Sequence, residues 1–203
     1  MVGRTAQAAT RPVLHTGGVQ HRSVGELEAG LGEVRRSPRD EGVLELIVAR
    51  PALGERAVLD TGELSLEVGL VGDTWDQRSS KRTADGGPHP DMQLNLINAR
   101  LSRLIAAEGT VEHRALAGDQ LHVDLDLSTA NLPAGTRLAI GGAVIEVTDQ
   151  PHTGCAKFAD RFGVAALRFV NVGAGKELRL RGINAKVVQP GTIAAGDVVK
   201  KLR

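Results

Sequence analysis

The sequence predicts a mainly β, α+β fold: a β-barrel of short strands with a few flanking helices. Two observations predict it. Apolar residues alternate with polar ones in many short runs parted by polar turns, the pattern of half-buried strands. The helical stretches between them are few and irregularly spaced, which argues against the regular strand–helix alternation of a doubly wound sheet.

Taken in order, Ser23-Val24-Gly25-Glu26 has capping-box spacing, and Leu27, Leu31 and Val34 follow at helical intervals. A helix is expected over about 24–36, stopped before Pro38 because proline disfavours helical backbone in the residue ahead of it. Val43 to Ala49 is a β-rich run with one charge, ended by Pro51, and Leu64, Leu66 and Val68 alternate as a second extended piece. Residues 72–90 are polar and punctuated by Gly and Pro, a length that marks a functional loop or disorder. Met92, Leu94 and Leu96 alternate as a strand. Asn98 is placed to cap a helix carrying Leu101, Leu104 and Ile105, which Gly109 terminates. Leu121 to Leu127 has period two. Arg137–Ile140, Gly141-Gly142 and Ala143–Val147 form a hairpin. A helical segment after Pro151 carries Phe158, Phe162, Leu167 and Phe169, and Ile183–Val188 and Val198-Val199 supply two closing strands.

Composition narrows the function. A chain of 203 residues, 41% apolar, buries a sizeable core as one domain. A flexible N-terminus is expected over 1–22 and a single domain over 23–203. Twenty-five basic against 24 acidic side chains leave a net charge of +1, so no global basic field points to nucleic acid or an anionic membrane. Four aromatics, Trp75, Phe158, Phe162 and Phe169, are too few for a base-stacking platform. No run approaches the roughly 18 apolar residues of a membrane span, and no secretory h-region opens the chain, so a cytoplasmic location is expected.

Most catalytic motifs fail on their residues. Gly173-Ala174-Gly175-Lys176 lacks the earlier Gly of a phosphate-binding loop and has Glu177 where Ser or Thr is needed, so it reads as a turn between helix and strand. No two of the six histidines share an i, i+4 helical face. Asp124 and Asp126 lie on one polar strand face and read as solvated. There is no Gly-x-Ser-x-Gly elbow.

The single cysteine remains. It excludes an internal disulfide and any cluster held by this chain alone. Cys155 follows Pro151-His152-Thr153-Gly154 and opens a helical segment, where the helix dipole and free amides favour a thiolate. Lys157 and Arg161 add positive charge. A thiolate ligates a soft metal or attacks sulfur; a buried, inert thiol and a cysteine hydrolase using a distant histidine are the alternatives.

Three stretches resemble the MOSC domain, named for the C-terminal part of molybdenum-cofactor sulfurases. They are Gly69-Leu70-Val71-Gly72-Asp73; the run from Ala117-Gly118-Asp119-Gln120-Leu121 through Leu132 to Thr148 into Gln150-Pro151-His152-Thr153-Gly154-Cys155; and Arg181 to Val188 with Gly191-Thr192-Ile193 and Gly196 to Val199. Their order spans about 43–202. The resemblance implies a MOSC-type β-barrel in which Cys155 is a molybdenum ligand or carries a persulfide. It also implies the molybdenum cofactor (molybdopterin), with Arg181, His152, Lys157 and Asp73 lining its pocket. Some relatives reduce N-hydroxylated substrates, with separate electron-transfer proteins; others take sulfur from a cysteine desulfurase. Pyridoxal phosphate is associated with the family only through that fused enzyme, and no site for it is expected within these residues. Two departures stand out: Gly154 where relatives often have Pro before the Cys, and Gln120 where many have Asn. The 72–90 loop matches poorly. A binding or scaffold barrel that has lost the cofactor is the alternative function.

Overall fold

The structure is a computed structural model that describes residues 10–12 and 20–202. Seven strands close a barrel. They are β2 (Glu41–Ala49), β6 (Leu94–Asn98), β7 (Leu121–Asp124), β8 (Arg137–Ile140), β9 (Ala143–Val147), β10 (Ile183–Gln189) and β12 (Val198–Lys201). Their order is β2-β12-β8-β9-β10-β6-β7, and β7 pairs back onto β2 to shut the ring. Closure leaves no open sheet edge within the ring. An edge strand β1 (Thr10–Pro12) pairs with β3 (Ala57–Leu59), which pairs with β2, so three residues of the stretch expected to be flexible are held in a sheet. The rest of that stretch before residue 20 lies outside the described residues. A small second sheet joins β11 (Gly191–Ala194), β4 (Thr61–Ser65) and β5 (Gly69–Leu70).

Every pairing in the barrel is antiparallel except β6 with β7. A parallel pair needs a crossover, and here it is helical: α2 (Ala99–Ile105), capped by Asn98, then α3 (Val111–Ala115), capped by Thr110. α3 and β3 have no counterpart in the sequence expectations. α1 (Val24–Arg35) carries the full expected capping box, Ser23 and Glu26 each accepting the other's amide. α4 (Ala156–Asn171) and the four-residue α5 (Ala174–Glu177) complete the helical layer.

The alternation of β2 and β6 distributes two cores. Leu44, Leu94, Leu96, Leu121, Val123, Ile145 and Val187 fill the barrel, whereas Leu46, Val48 and Ile97 point outward to meet Leu27, Leu101, Ile105, Phe158 and Phe162 under the helices. All five residues of β6 are buried because both its faces are covered.

The sequence expectations need four corrections. The extended piece carrying Leu64, Leu66 and Val68 stops at Ser65; residues 66–68 form the turn into β5, and Leu66 is exposed. Met92 closes a 3₁₀ turn, Pro90–Met92, which proline at its first position nucleates. β7 ends at Asp124, although Leu125 and Leu127 keep their inward phase and stay buried. Gly173 to Lys176 is not a bare turn: residues 174–177 form α5, seated where a Cβ on Gly175 would come within 1.9 Å of the Phe169 carbonyl oxygen. α4 is kinked at Gly163, whose φ of 88° and ψ of 159° suit only glycine. No helix among the described residues is long and apolar enough to cross a membrane.

Candidate functional site

Cys155 is the N-cap of α4 and its thiol is exposed, making no capping hydrogen bond. Its carbonyl instead accepts the amides of Phe158 and Ala159, which starts the helix. The strap before it, residues 149–155, is pinned at three residues by five hydrogen bonds. Gln150 accepts Asn184 Nδ2 on its carbonyl at 3.1 Å and Arg82 on its side chain at 3.2 Å. His152 Nε2 meets Asp119 Oδ1 at 2.7 Å. The Gly154 peptide is clamped on both sides by Asn171: its N–H donates to Oδ1 at 2.9 Å and its carbonyl accepts from Nδ2 at 3.2 Å. This clamp explains the glycine where relatives often carry proline. A Cβ at 154 would stand 2.7 Å from Leu167 Cδ1, and proline has no N–H to give Asn171.

Asp119 organises the floor behind the strap. It is fully buried just before β7 and accepts Arg181 Nη1 on both oxygens, at 2.8 and 2.7 Å, as well as His152. Burial alone would raise its pKa, but the Arg181 charge and the hydrogen bonds from His152 and Arg181 outweigh that and hold the carboxyl well below the usual carboxylate range. Burial, and then the Arg181 charge, lower His152, so its imidazole is neutral near pH 7. A neutral ring facing an ionised carboxylate keeps its proton on Nε2 and leaves Nδ1 as an acceptor. Arg181 also lies over the Phe158 ring, 5.0 Å from its centre. Asp119 thereby ties β7, β10, the strap and α4 together.

Asp73 is buried further back. Arg50 embraces it through Nε at 2.7 Å and Nη2 at 2.8 Å, and the Arg50 and Trp75 amides complete its shell. Arg50 reaches on to Asn95 Oδ1 at 2.8 Å, and Asn95 to Asn184 at 2.6 Å. Gln120 spans the Asn95 amide, at 2.8 Å, and the Gln93 carbonyl, at 3.2 Å. The glutamine, one residue ahead of β7, thus bridges the backbone at the start of β6.

Beside the first turns of α4 opens a cleft of about 980 Å³ lined by Arg56, Arg78, Lys157 and Arg161, with Asp160 its one acid and Pro51 to Gly54 as a further wall. None of the four cations has a carboxylate partner among the described residues. Burial, then the guanidiniums of Arg161, Arg50 and Arg78, pull Arg56 down to about 10, so it keeps its charge at neutral pH under mutual repulsion. Its Nε is buried without a hydrogen-bond partner. Burial lowers Arg161, with the nearby Cys155 acting against it, and Arg161 Nη1 is oriented by the Leu116 carbonyl at 2.7 Å; Cys155 does not itself line the cleft but lies two residues ahead of Lys157, which does.

Of the residues singled out from sequence, Lys157 thus lines the arginine cleft and Cys155 lies beside it at the start of α4, exposed and in neither cavity's lining. Arg181 and His152 meet on Asp119 and line a second cavity, and Asp73 is enclosed by Arg50. Asp119, Asn171, Arg56 and Arg78 were not singled out. Asp119 lies inside a stretch that carries the family resemblance, and a buried role was open to it; Arg56 and Arg78 sit in loops where an arginine carries no local signal.

Comparison with known proteins agrees with this architecture. The family model for the MOSC domain matches residues 89–200. The crystal structure of the YuaD protein from Bacillus subtilis is similar with a TM-score of 0.57 at 17% identity, over 79% of this chain and 95% of that one. YiiM from Geobacillus stearothermophilus gives 0.53 at 15%, over 80% and 75%. YiiM from Escherichia coli gives 0.50 at 23%, over 79% and 70%. At these identities the likeness is one of fold. No curated protein matches the chain. The family match covers more than half of the chain and takes in both the strap and its cysteine, and the chain belongs to the MOSC domain family.

Proposed function

We propose that this domain binds the molybdenum cofactor, with Cys155 as a thiolate ligand to the metal and the arginine cleft holding the pterin phosphate. The observation that carries this reading is an exposed thiol at the N-cap of α4, the helix whose Lys157 and Arg161 line a cleft of four cations without carboxylate partners among the described residues. The residues fit the group. A thiolate suits a soft metal, and guanidiniums bind phosphate through paired hydrogen bonds. Arg56, charged, largely buried and with Nε unpartnered, is a donor set short of an anion.

When bound, the cofactor supplies a redox-active metal centre; the chain's own residues place it. Arg56, Arg78, Arg161 and Lys157 neutralise the phosphate. The Asn171 clamp and the His152–Asp119 contact fix the strap, so that the Cys155 sulfur is presented without reorganisation. Arg181 and Asp73 act at one remove, Arg181 through Asp119 and Asp73 through Arg50. The family's reduction of N-hydroxylated substrates is the activity this arrangement supports, with electrons from separate partner proteins, since one cysteine cannot hold a cluster. An exposed free thiol is consistent with a reducing, cytoplasmic setting.

The test is elemental analysis of protein made in cells with an active cofactor pathway. Wild type is expected to approach one molybdenum per chain, with the metal lost in Cys155→Ser and reduced in Arg56→Ala/Arg78→Ala. Equal molybdenum in wild type and Cys155→Ser overturns the ligand assignment. A persulfide on Cys155 with no metal would instead identify a sulfur carrier.

A further inference from the structure

A second cavity, of about 520 Å³, opens beside the strap and, among the described residues, shares no lining residue with the arginine cleft. Its volume falls in the range of small-molecule sites. Thr153 lines this cavity and Lys157 the cleft, so the two spaces flank Cys155 in the chain. Its walls combine apolar and cationic groups. Val170, Ile183 and Pro151 give an apolar side, and Lys176 and Arg179 bring positive charge.

Neither cation has a carboxylate partner among the described residues. Arg179 gives one guanidinium nitrogen to the Leu132 carbonyl at 2.6 Å, and burial lowers its pKa with no acid acting against it. Its backbone φ of 48° is the single positive value at a non-glycine position among the described residues. A left-handed arginine costs conformational energy and persists only where its surroundings enforce it. Here they do: Gly175 lets α5 close onto the Phe169 carbonyl, and the Arg179 amide and carbonyl are both taken, by Lys176 and Gly182. His152 supplies a third polar feature, a neutral ring with Nε2 on Asp119 and Nδ1 without a protein partner among the described residues. Asp149, also on the wall, disfavours a dianion.

We infer that this cavity binds a small organic monocarboxylate, its anionic end on Lys176 and Arg179 and its apolar body against Val170, Pro151 and Ile183. The site stands independently of the cofactor reading, because it draws on none of the cleft residues. Its occupant touches the strap at His152 and Thr153, three and two residues ahead of Cys155.

Benzoate is the probe, titrated into ¹⁵N-labelled protein with inorganic phosphate as the comparison anion. Saturable amide shifts are expected at Thr153, Lys176, Arg179 and Gly182, with phosphate weaker at the same residues. Lys176→Ala/Arg179→Gly, in which glycine suits the φ at 179, is expected to bind benzoate at least about tenfold more weakly, the loss of a charge-assisted hydrogen bond. Lys200→Ala, which removes a cation on β12, should bind as wild type. Shifts confined to residues 51–56 and 74–79, unchanged affinity in the double variant, or no saturable shift each overturn the assignment.

Discussion

Replacing Asp119 with Asn tests the network that holds the strap. The substitution keeps the shape and removes one negative charge from a fully buried position. Asp119 now receives three close contacts, two from Arg181 Nη1 at 2.8 and 2.7 Å and one from His152 Nε2 at 2.7 Å. An asparagine has one acceptor oxygen and an NH₂ group, so one of the two partners must then face a donor. The larger effect is electrostatic: Arg181 is left buried with no counter-ion. Breaking a buried ion pair on one side costs about 3–5 kcal/mol. Urea unfolding measures this as a fall in midpoint at unchanged slope. Adding Arg181→Met removes the stranded charge and should recover much of the loss, which gives a coupling term in the double-mutant cycle. Hydrogen exchange at residues 152–155 should quicken in Asp119→Asn as the strap loses its anchor. An Asp119→Asn protein within about 0.5 kcal/mol of wild type, with unchanged exchange in the strap, would refute the reasoning.

Three other perturbations follow from the same structure. His122 is fully buried and burial holds its pKa at about 3, so the unfolded chain binds more protons there below its own value of about 6.5; stability is intact above that pH and falls as acid is added, by about 2 kcal/mol from pH 6.5 to 5. His122→Leu should flatten that part of the stability-versus-pH curve, and an unchanged slope would contradict the assignment. Gly154→Pro should destabilise by about 1–3 kcal/mol in denaturant titrations, chiefly because Asn171 Oδ1 loses the N–H it accepts, while the Leu167 methyl can shift aside. Gly163→Ala should cost about 1–3 kcal/mol, because its backbone suits glycine alone and a Cβ there would stand 2.9 Å from that of His21.

The barrel was legible because its signals are local. Ser23 and Glu26 cap α1 as their spacing requires, and the hairpin around Gly141-Gly142 forms β8 and β9 in the expected register. The strand period failed where the chain turns, as at Leu66, since alternation over three residues does not distinguish a strand from a turn whose apolar side chain is exposed. α3 and β3 are short and take their stability from the crossover and from β2, neither of which leaves a pattern in five or three residues. At the candidate site, the place of Cys155 at the opening of a helix was legible from the Pro, Thr and Gly before it and the apolar spacing after it. Its partners were not. Asp119 meets Arg181 across 62 positions and His152 across 33, and Arg56, Arg78 and Arg161 converge from three separate segments. Only tertiary closure of the barrel brings such residues together. Asp73 shows the reverse: a turn residue within the resembling stretch proved to be the buried partner of Arg50.

The account rests on the Cys155 sulfur being the atom that meets the metal. Iodoacetamide labelling followed by mass spectrometry, on protein isolated with molybdenum bound and on the same protein after the cofactor is removed, measures this directly. The stripped protein is predicted to alkylate at Cys155 and the loaded protein to resist alkylation there. Equal labelling rates in the two forms would contradict the claim.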